Sequence, residues 1–482
     1  MTFKMNRLRT ALFLLGCLFL FSAYAEDTGS SGAQAGGGQG SGQAGGQDTT
    51  GGAAGGQGQG MAGGGQAAAA PAAPVVLPGA YGSAPISVTP GEGRFAKPPY
   101  SFTLTLQQGY DSNVFTTEKN QVSSLENTGQ LAFQMQGASP RTIFTLDSTA
   151  GLSYFWNRPG KSEDYNGNIS LLFFHRITSR MNISATVSVG YLSQPNFAAM
   201  NASTNQQAGN YILANSRLNL SYQWSAKVQT NTSYSINSTL YQEKKQQTSN
   251  IIENTFGNEF RFLLNPRTSL VAEGRLTLDS YPKMPTGDST TLYGLLGADY
   301  VLSSRLSATA RGGLQYRTYS TPGSSGGGSS SQSQSSPYAE TTMTYIYGHQ
   351  SNFQWTNRFG LDSSNVASQK VTSFRTGVNF NHVLTAKTTL TLGLNYNIQN
   401  TQTGSTPSFG EIVTVPPIFG PISIPGSTTV QYQINSVLGL QYMLTPKFSL
   451  TASYIFTDVI SAVQFNSSYT RNQIFFGGTY TF

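Results

Sequence analysis

From Tyr100 to the C-terminus, apolar and polar residues alternate one by one. Tyr100, Phe102, Leu104 and Leu106 take turns with Ser101, Thr103, Thr105 and Gln107. The same period runs through Met181, Ile183, Ala185, Val187, Val189 and Tyr191, and through Leu390, Leu392, Leu394, Tyr396 and Ile398. Successive side chains of a strand point to opposite faces, so a period of two predicts strands with one apolar and one polar side. Eighteen such segments are predicted, beginning near residues 100, 128, 142, 165, 180, 211, 228, 254, 268, 290, 306, 338, 352, 372, 388, 429, 448 and 469. Most run for about 10–14 residues, enough for the ~9–11 that a tilted membrane strand needs.

The connections alternate as well. Short turns are predicted at 138–141, 176–180, 225–227, 265–267, 303–305, 348–351, 383–387 and 444–447. Between them lie longer loops: 111–122, 157–164, 192–210, 242–253, 281–289, 320–337, 363–371, 400–428 and 458–468. Short turns on one side, long loops on the other and an even strand count predict an all-β fold: a transmembrane antiparallel up-and-down β-barrel of eighteen strands. Sixteen is the other even count that the segment boundaries allow.

A half-buried sheet in a soluble sandwich alternates too, and three features weigh against it. Asp147, Arg217, Glu259, Arg261, Glu273, Arg275, Asp279, Asp299, Arg311, Arg317, Glu340, Arg358, Asp362 and Arg375 all share the polar parity of their strands. A Lys or Arg facing mid-bilayer costs ~2–4 kcal/mol, so this segregation is what lipid demands. Aromatic residues on the apolar face gather near the strand ends, as two interfacial girdles would. Asn258 and Asn357 are polar exceptions on that face. Finally, Phe476, Gly478, Tyr480 and Phe482 alternate and end the chain on Phe. This resembles the C-terminal signal read by the barrel-assembly machinery, an expected partner beside outer-membrane lipid and lipopolysaccharide.

The upstream residues fit export. Lys4, Arg7 and Arg9 precede the apolar run Ala11 to Phe21, and Ala23-Tyr24-Ala25 gives a small-x-small cleavage pattern. Residues 1–25 therefore read as a signal peptide, too short in its apolar core to span a bilayer. Leu14-Leu15-Gly16-Cys17 resembles a lipoprotein box, but Leu18 to Phe21 continue apolar where such a box turns polar. Cys17 is the single cysteine, so the mature chain is expected to lack disulfides and thiol ligands. Residues 26–99 read as a disordered Gly/Gln/Ala/Pro-rich periplasmic linker, with peptidoglycan or polysaccharide-export partners as its functional alternative. The barrel domain is 100–482.

Composition adds exclusions. Charged residues are 10% of the chain against 12% aromatic, and the net charge is +7. No apolar run reaches the ~20 residues of a membrane helix. No cluster of Lys and Arg suggests nucleic acid.

Gly109-Tyr110-Asp111-Ser112-Asn113-Val114-Phe115 closes the first segment. It resembles the G-Y-D-x-N-V-F element near the start of an outer-membrane β-barrel porin family of Gram-negative bacteria. That resemblance implies an outer-membrane barrel, and a link to exopolysaccharide production or export. Locally, Asp111 and Asn113 suit a turn because their side chains can bond neighbouring backbone.

Eighteen strands leave an aqueous channel. Nine candidates would line it about five to eight residues in from the short turns: Arg217, Glu259, Arg261, Glu273, Arg275, Asp299, Arg311, Arg358 and Arg375. Six are basic and three acidic, so a weakly positive constriction for small polar solutes is one expectation. Bracing of the wall by mutual ion pairs is the other. An enzyme would need a histidine near carboxylate or hydroxyl partners at an open rim. His175, His349 and His382 fall instead beside predicted short turns. No metal-ligand spacing occurs, so no cofactor and no catalysis is expected. The functional reading is a porin-like channel; the alternative is a structural or adhesive barrel without an open pore.

Overall fold

The computed structural model describes residues 100–193, 210–243, 247, 250–283, 288–319, 333–348, 351–362, 370–402, 411–413, 422–424, 429–461 and 468–482. The predicted signal peptide and linker, His349 and most of loop 400–428 lie outside the described residues.

Twenty strands follow in chain order: β1 Tyr100–Asp111, β2 Ser124–Ala138, β3 Thr142–Phe155, β4 Glu163–Arg176, β5 Met181–Leu192, β6 Tyr211–Gln223, β7 Val228–Tyr241, β8 Ile251–Asn265, β9 Thr268–Ser280, β10 Ser289–Val301, β11 Leu306–Tyr319, β12 Ser333–Ile346, β13 Asn352–Asp362, β14 Lys370–Thr385, β15 Thr388–Gln402, β16 Glu411–Val413, β17 Ile422–Ile424, β18 Thr429–Thr445, β19 Phe448–Ser461 and β20 Tyr469–Thr481. β16 and β17 pair only with each other, through Ile412↔Ser423. The other eighteen form one sheet. Each pairs antiparallel with the next, β15 passes to β18, and β1 pairs with β20 from Thr103↔Thr481 to Asp111↔Gln473. That last ladder closes the eighteen-stranded sheet into a barrel, which therefore has no edge strand. Tyr100 and Phe482 both sit at the short-turn rim, where the Phe482 N–H donates to the Phe102 carbonyl (2.9 Å).

Side-chain contacts identify the inner face. Arg275 on β9 meets Glu340 on β12 at 2.8 Å, although β10 and β11 separate their strands. Only the concave side of a curved sheet brings such positions together. The parity of Arg275 is therefore inward, and the charged residues of the barrel strands whose side chains are described share it apart from Glu163 and Asp458 near the long-loop ends. The opposite parity presents leucines and aromatics with nothing over them. Leu296 is 71% exposed and Leu314 68%. Tyr300, Tyr345 and Tyr442 lie outward near the short turns, while Tyr110, Tyr154, Tyr165 and Tyr316 lie outward near the long loops.

Two details differ from the alternation. β12 starts at Ser333, inside the segment predicted as loop 320–337. Its first residues are Ser and Gln, which carry no apolar signal, yet their backbone continues the β11 ladder from Thr318↔Ser333. Pro337 is tolerated there because β12 pairs with β13 only from Ala339↔Phe359 downward. On the outer face, Asn258 donates to Thr232 Oγ1 (2.9 Å) and Asn357 to Thr341 Oγ1 (3.0 Å). Each amide thus finds a hydroxyl on the neighbouring strand, with no bulge or shifted register.

Candidate functional site: two walls of the lumen

The inward residues of β8–β14 form a wall of ion pairs. It begins with two Glu-x-Arg steps, Glu259–Arg261 on β8 and Glu273–Arg275 on β9. Residues two apart in a strand share a face, so each Arg folds back onto its own Glu, Arg261 Nη2 lying 2.5 Å from Glu259 Oε2. Glu259 and Glu273 are directly opposite across the ladder. Two carboxylates so placed repel, and the neighbouring guanidiniums offset this. Arg261 continues to Asp299 on β10 (2.7 Å), and Arg311 on β11 reaches the same carboxylate (2.7 Å) and lies 4.0 Å from Glu273. Arg275 closes the set through Glu340 (2.8 Å) and the Tyr338 hydroxyl (3.2 Å), which itself donates to Glu340 (2.6 Å).

Nearer the long loops the pairing repeats. Arg358 and Arg375 are directly opposite across β13 and β14, and both bind Asp362. Arg317 lies 3.7 Å from Asp279 and donates to the Asp362 carbonyl (2.5 Å) and to Thr291 (2.7 Å). The guanidiniums of Arg275 and Arg358 lie 5.7 and 5.8 Å from the centre of the Tyr338 ring, which joins the two layers. Eight of the nine predicted pore-lining residues belong to this network. Asp279, Arg317, Glu340 and Asp362 complete it. Six Arg (261, 275, 311, 317, 358, 375) thus face seven carboxylates (253, 259, 273, 279, 299, 340, 362). The expected positive excess disappears once those partners are counted, and the wall carries one more carboxylate than guanidinium.

Arg217, the ninth, lies on the adjoining wall of β3–β7. The inward parity of β3–β7 carries hydroxyls and amides: Asn182, Ser184, Thr186 and Ser188 on β5, Asn215, Asn219 and Ser221 on β6, Asn231 and Ser233 on β7. These side chains are half-buried. Arg217 Nε donates to Asn219 Oδ1 (3.1 Å), and no carboxylate lies within ion-pair distance among the described residues. Asp147 on β3 is likewise half-buried without a basic partner. Arg217 and Asp147 are therefore inward charges that stand outside the ion-pair network.

The Gly109–Phe115 element staples the barrel seam. Asp111 and Asn113 are both 0% exposed. Asp111 accepts the Asn113 N–H (2.9 Å), the local turn bond expected of it, and also takes Arg471 of β20 (2.5 Å). Asn113 donates to the Thr117 carbonyl (2.7 Å) and to that of Thr470 (3.3 Å). Gly109 leaves room for the Phe475 ring, which a Cβ there would meet at 2.3 Å. Tyr110 faces outward, Val114 is buried and Phe115 exposed. At the other end of β20, Phe476 and Tyr480 face outward and Tyr480 meets Phe482 edge-on at 5.0 Å.

Two histidines have ordinary partners near the short-turn rim. His175 Nδ1 is 2.8 Å from Thr142 Oγ1, and His382 Nδ1 is 3.4 Å from Ser351 Oγ. Neither faces the charged network.

No family model matches the chain, and no curated protein matches it. Solved structures are similar. OccK2 (OpdF) of Pseudomonas aeruginosa, crystallised in complex with glucuronate, is 11% identical with a TM-score of 0.41, covering 79% of this chain and 98% of that one. OpdK of the same species, with vanillate, is 11% identical with a TM-score of 0.40, covering 80% and 99%. A BenF-like porin from Pseudomonas fluorescens Pf-5 is 10% identical with a TM-score of 0.40, again covering 80% and 99%.

Proposed function

We propose that the chain is an outer-membrane channel through which small polar solutes pass passively, with the short turns and both barrel termini on the periplasmic side. One observation carries this reading: a barrel of eighteen strands, closed on itself, keeps its charges on the concave face and bare leucines on the convex face. Water cannot be the medium around that convex face, because an apolar belt of this extent would drive association. In hydrocarbon the belt is at home, and backbone closure is obligatory. An eighteen-strand barrel is also wide enough to hold water. The half-buried wall of β3–β7 offers hydroxyls and amides, groups suited to neutral or singly charged hydrophilic solutes. The ion-paired wall of β8–β14 braces the barrel.

We read the protein as a channel and not an enzyme. The exopolysaccharide link has only the resemblance of the Gly109–Phe115 element in its favour. Liposome swelling tests the pore directly. Refolded protein in multilamellar liposomes admits arabinose and glucose, with rates falling as sugar size rises. Liposomes that stay osmotically tight to every sugar would favour a structural or adhesive barrel instead.

A further inference from the structure

The short-turn rim carries a repeat that the function of a pore does not require. Seven of its eight turns end in Ser, Thr or Asn, then any residue, then Lys or Arg. The cations are Arg141, Arg180, Lys227, Arg267, Arg305, Lys387 and Lys447. The remaining turn, Tyr347 to Ser351, carries His349. None of the eight turns contains Asp or Glu.

The geometry is as regular as the sequence. Each of the seven cationic residues directly precedes a strand. Each accepts, through its own carbonyl, a backbone N–H at the end of the strand beyond, at 2.7–2.9 Å: Arg176 to Arg141, Gln223 to Arg180, Leu263 to Lys227, Val301 to Arg267, Ile346 to Arg305, Met443 to Lys387 and Thr481 to Lys447. The seven therefore occupy one equivalent place per hairpin around the rim. In most turns the small polar residue two positions earlier fixes the bend, as when the Lys227 N–H donates to Ser225 Oγ (3.3 Å) and the Arg267 N–H to Asn265 Oδ1 (2.9 Å). All seven side chains are exposed, and none has an ion-pair partner among the described residues. An outward apolar residue stands three positions before six of them: Ile177, Trp224, Leu264, Leu302, Leu384 and Leu444, each between 41% and 60% exposed.

We propose that this collar binds the anionic phosphate head groups of the lipid leaflet that surrounds the short-turn rim. The inference rests on the reading of the barrel as bilayer-embedded. The apolar residue marks the edge of the hydrocarbon, and the cation three residues on stands where phosphates lie. Lys and Arg at that level are attracted to anionic lipid, and the attraction is screened by salt. A soluble acidic partner would not require the apolar residue beside six of the seven cations.

Trp224 lies beside Lys227 and reports on this layer. The experiment uses the full mature chain carrying Trp156→Phe and Trp355→Phe, so that Trp224 is the one fluorophore of its kind. It is reconstituted in phosphatidylcholine vesicles holding 30% phosphatidylglycerol, with bromine on the chains of one lipid or the other. Quenching per brominated lipid is expected to favour phosphatidylglycerol by about threefold at low salt, approaching parity in 0.5 M NaCl. The added changes Arg180→Gln, Lys227→Gln and Arg267→Gln should also bring it towards parity. If that triple variant loses the heat-modifiable mobility of the folded barrel, Lys227→Gln alone gives the same reading at smaller amplitude. Equal quenching by both lipids in the parent, or a preference untouched by the substitutions, would overturn the proposal. Absence of quenching by either lipid would instead overturn the membrane reading beneath it.

Discussion

The two walls of the lumen are built from the same strand geometry and carry polarity in opposite ways. On β8–β14 it is charge, and nearly all of it is buried in pairs: Arg261 with Glu259 and Asp299, Arg275 with Glu273 and Glu340, Arg358 and Arg375 with Asp362. On β3–β7 it is hydroxyls and amides left half-buried, with Arg217 and Asp147 among them outside any ion pair of the described residues. The lesson is that the number of charges on a wall says little about the charge a solute meets. A wall rich in arginine can be nearly balanced in charge and serve as a brace, while the few charges outside its pairs are the ones whose removal tests selectivity.

Breaking the brace should have the largest effect. Asp362→Ala leaves two facing guanidiniums, Arg358 and Arg375, without their shared carboxylate, at an expected cost of about 3–5 kcal/mol. Urea unfolding in lipid vesicles, followed by tryptophan fluorescence, would measure it. The equivalent change on the other wall, Asn219→Ala, should cost under ~1 kcal/mol in the same assay. Equal losses would erase the distinction between brace and passage.

The next contrast is between the outer and inner faces of the barrel. Leu296→Arg places a cation on the outer belt of β10 and should destabilise by about 2–4 kcal/mol. Ser184→Arg, inward on β5, should leave stability within ~1 kcal/mol and lower conductance by occupying the passage. A tolerated arginine at 296 would mean that the outer face is not in hydrocarbon.

How much of this was legible in the sequence follows from where each signal resides. The strands were legible because each separates two media, and a period of two records that residue by residue. β12 was read as starting late because Ser333 to Ser336 carry no apolar member to mark a face. The inward parity of the nine candidate residues was legible for the same reason. Their pairing was not, since Arg275 meets Glu340 only through curvature that folds β9 towards β12. The seam was half legible. Asp111 and Asn113 announce a turn, but the bond to Arg471 spans 360 residues. The cationic turns were fully written in the sequence. Each repeat is three residues long and recurs at strand-pair intervals, so it becomes visible once the turns are set side by side on one rim.

The seam offers a further way to sharpen the comparison, since it belongs to neither wall. Asn113→Ala removes two bonds to backbone carbonyls and should cost about 1–2 kcal/mol, less than Asp362→Ala and more than Asn219→Ala. The same urea assay would place it.

Reversal potential across a planar bilayer under a tenfold KCl gradient tests the account most directly. Insertion of the refolded chain should give stepwise conductance with weak selectivity. Arg217→Gln should move the reversal potential towards cations, and Asp147→Asn should move it towards anions, each without loss of folded protein. A selectivity that follows the braced arginines and ignores Arg217, or a bilayer that stays silent, would contradict it.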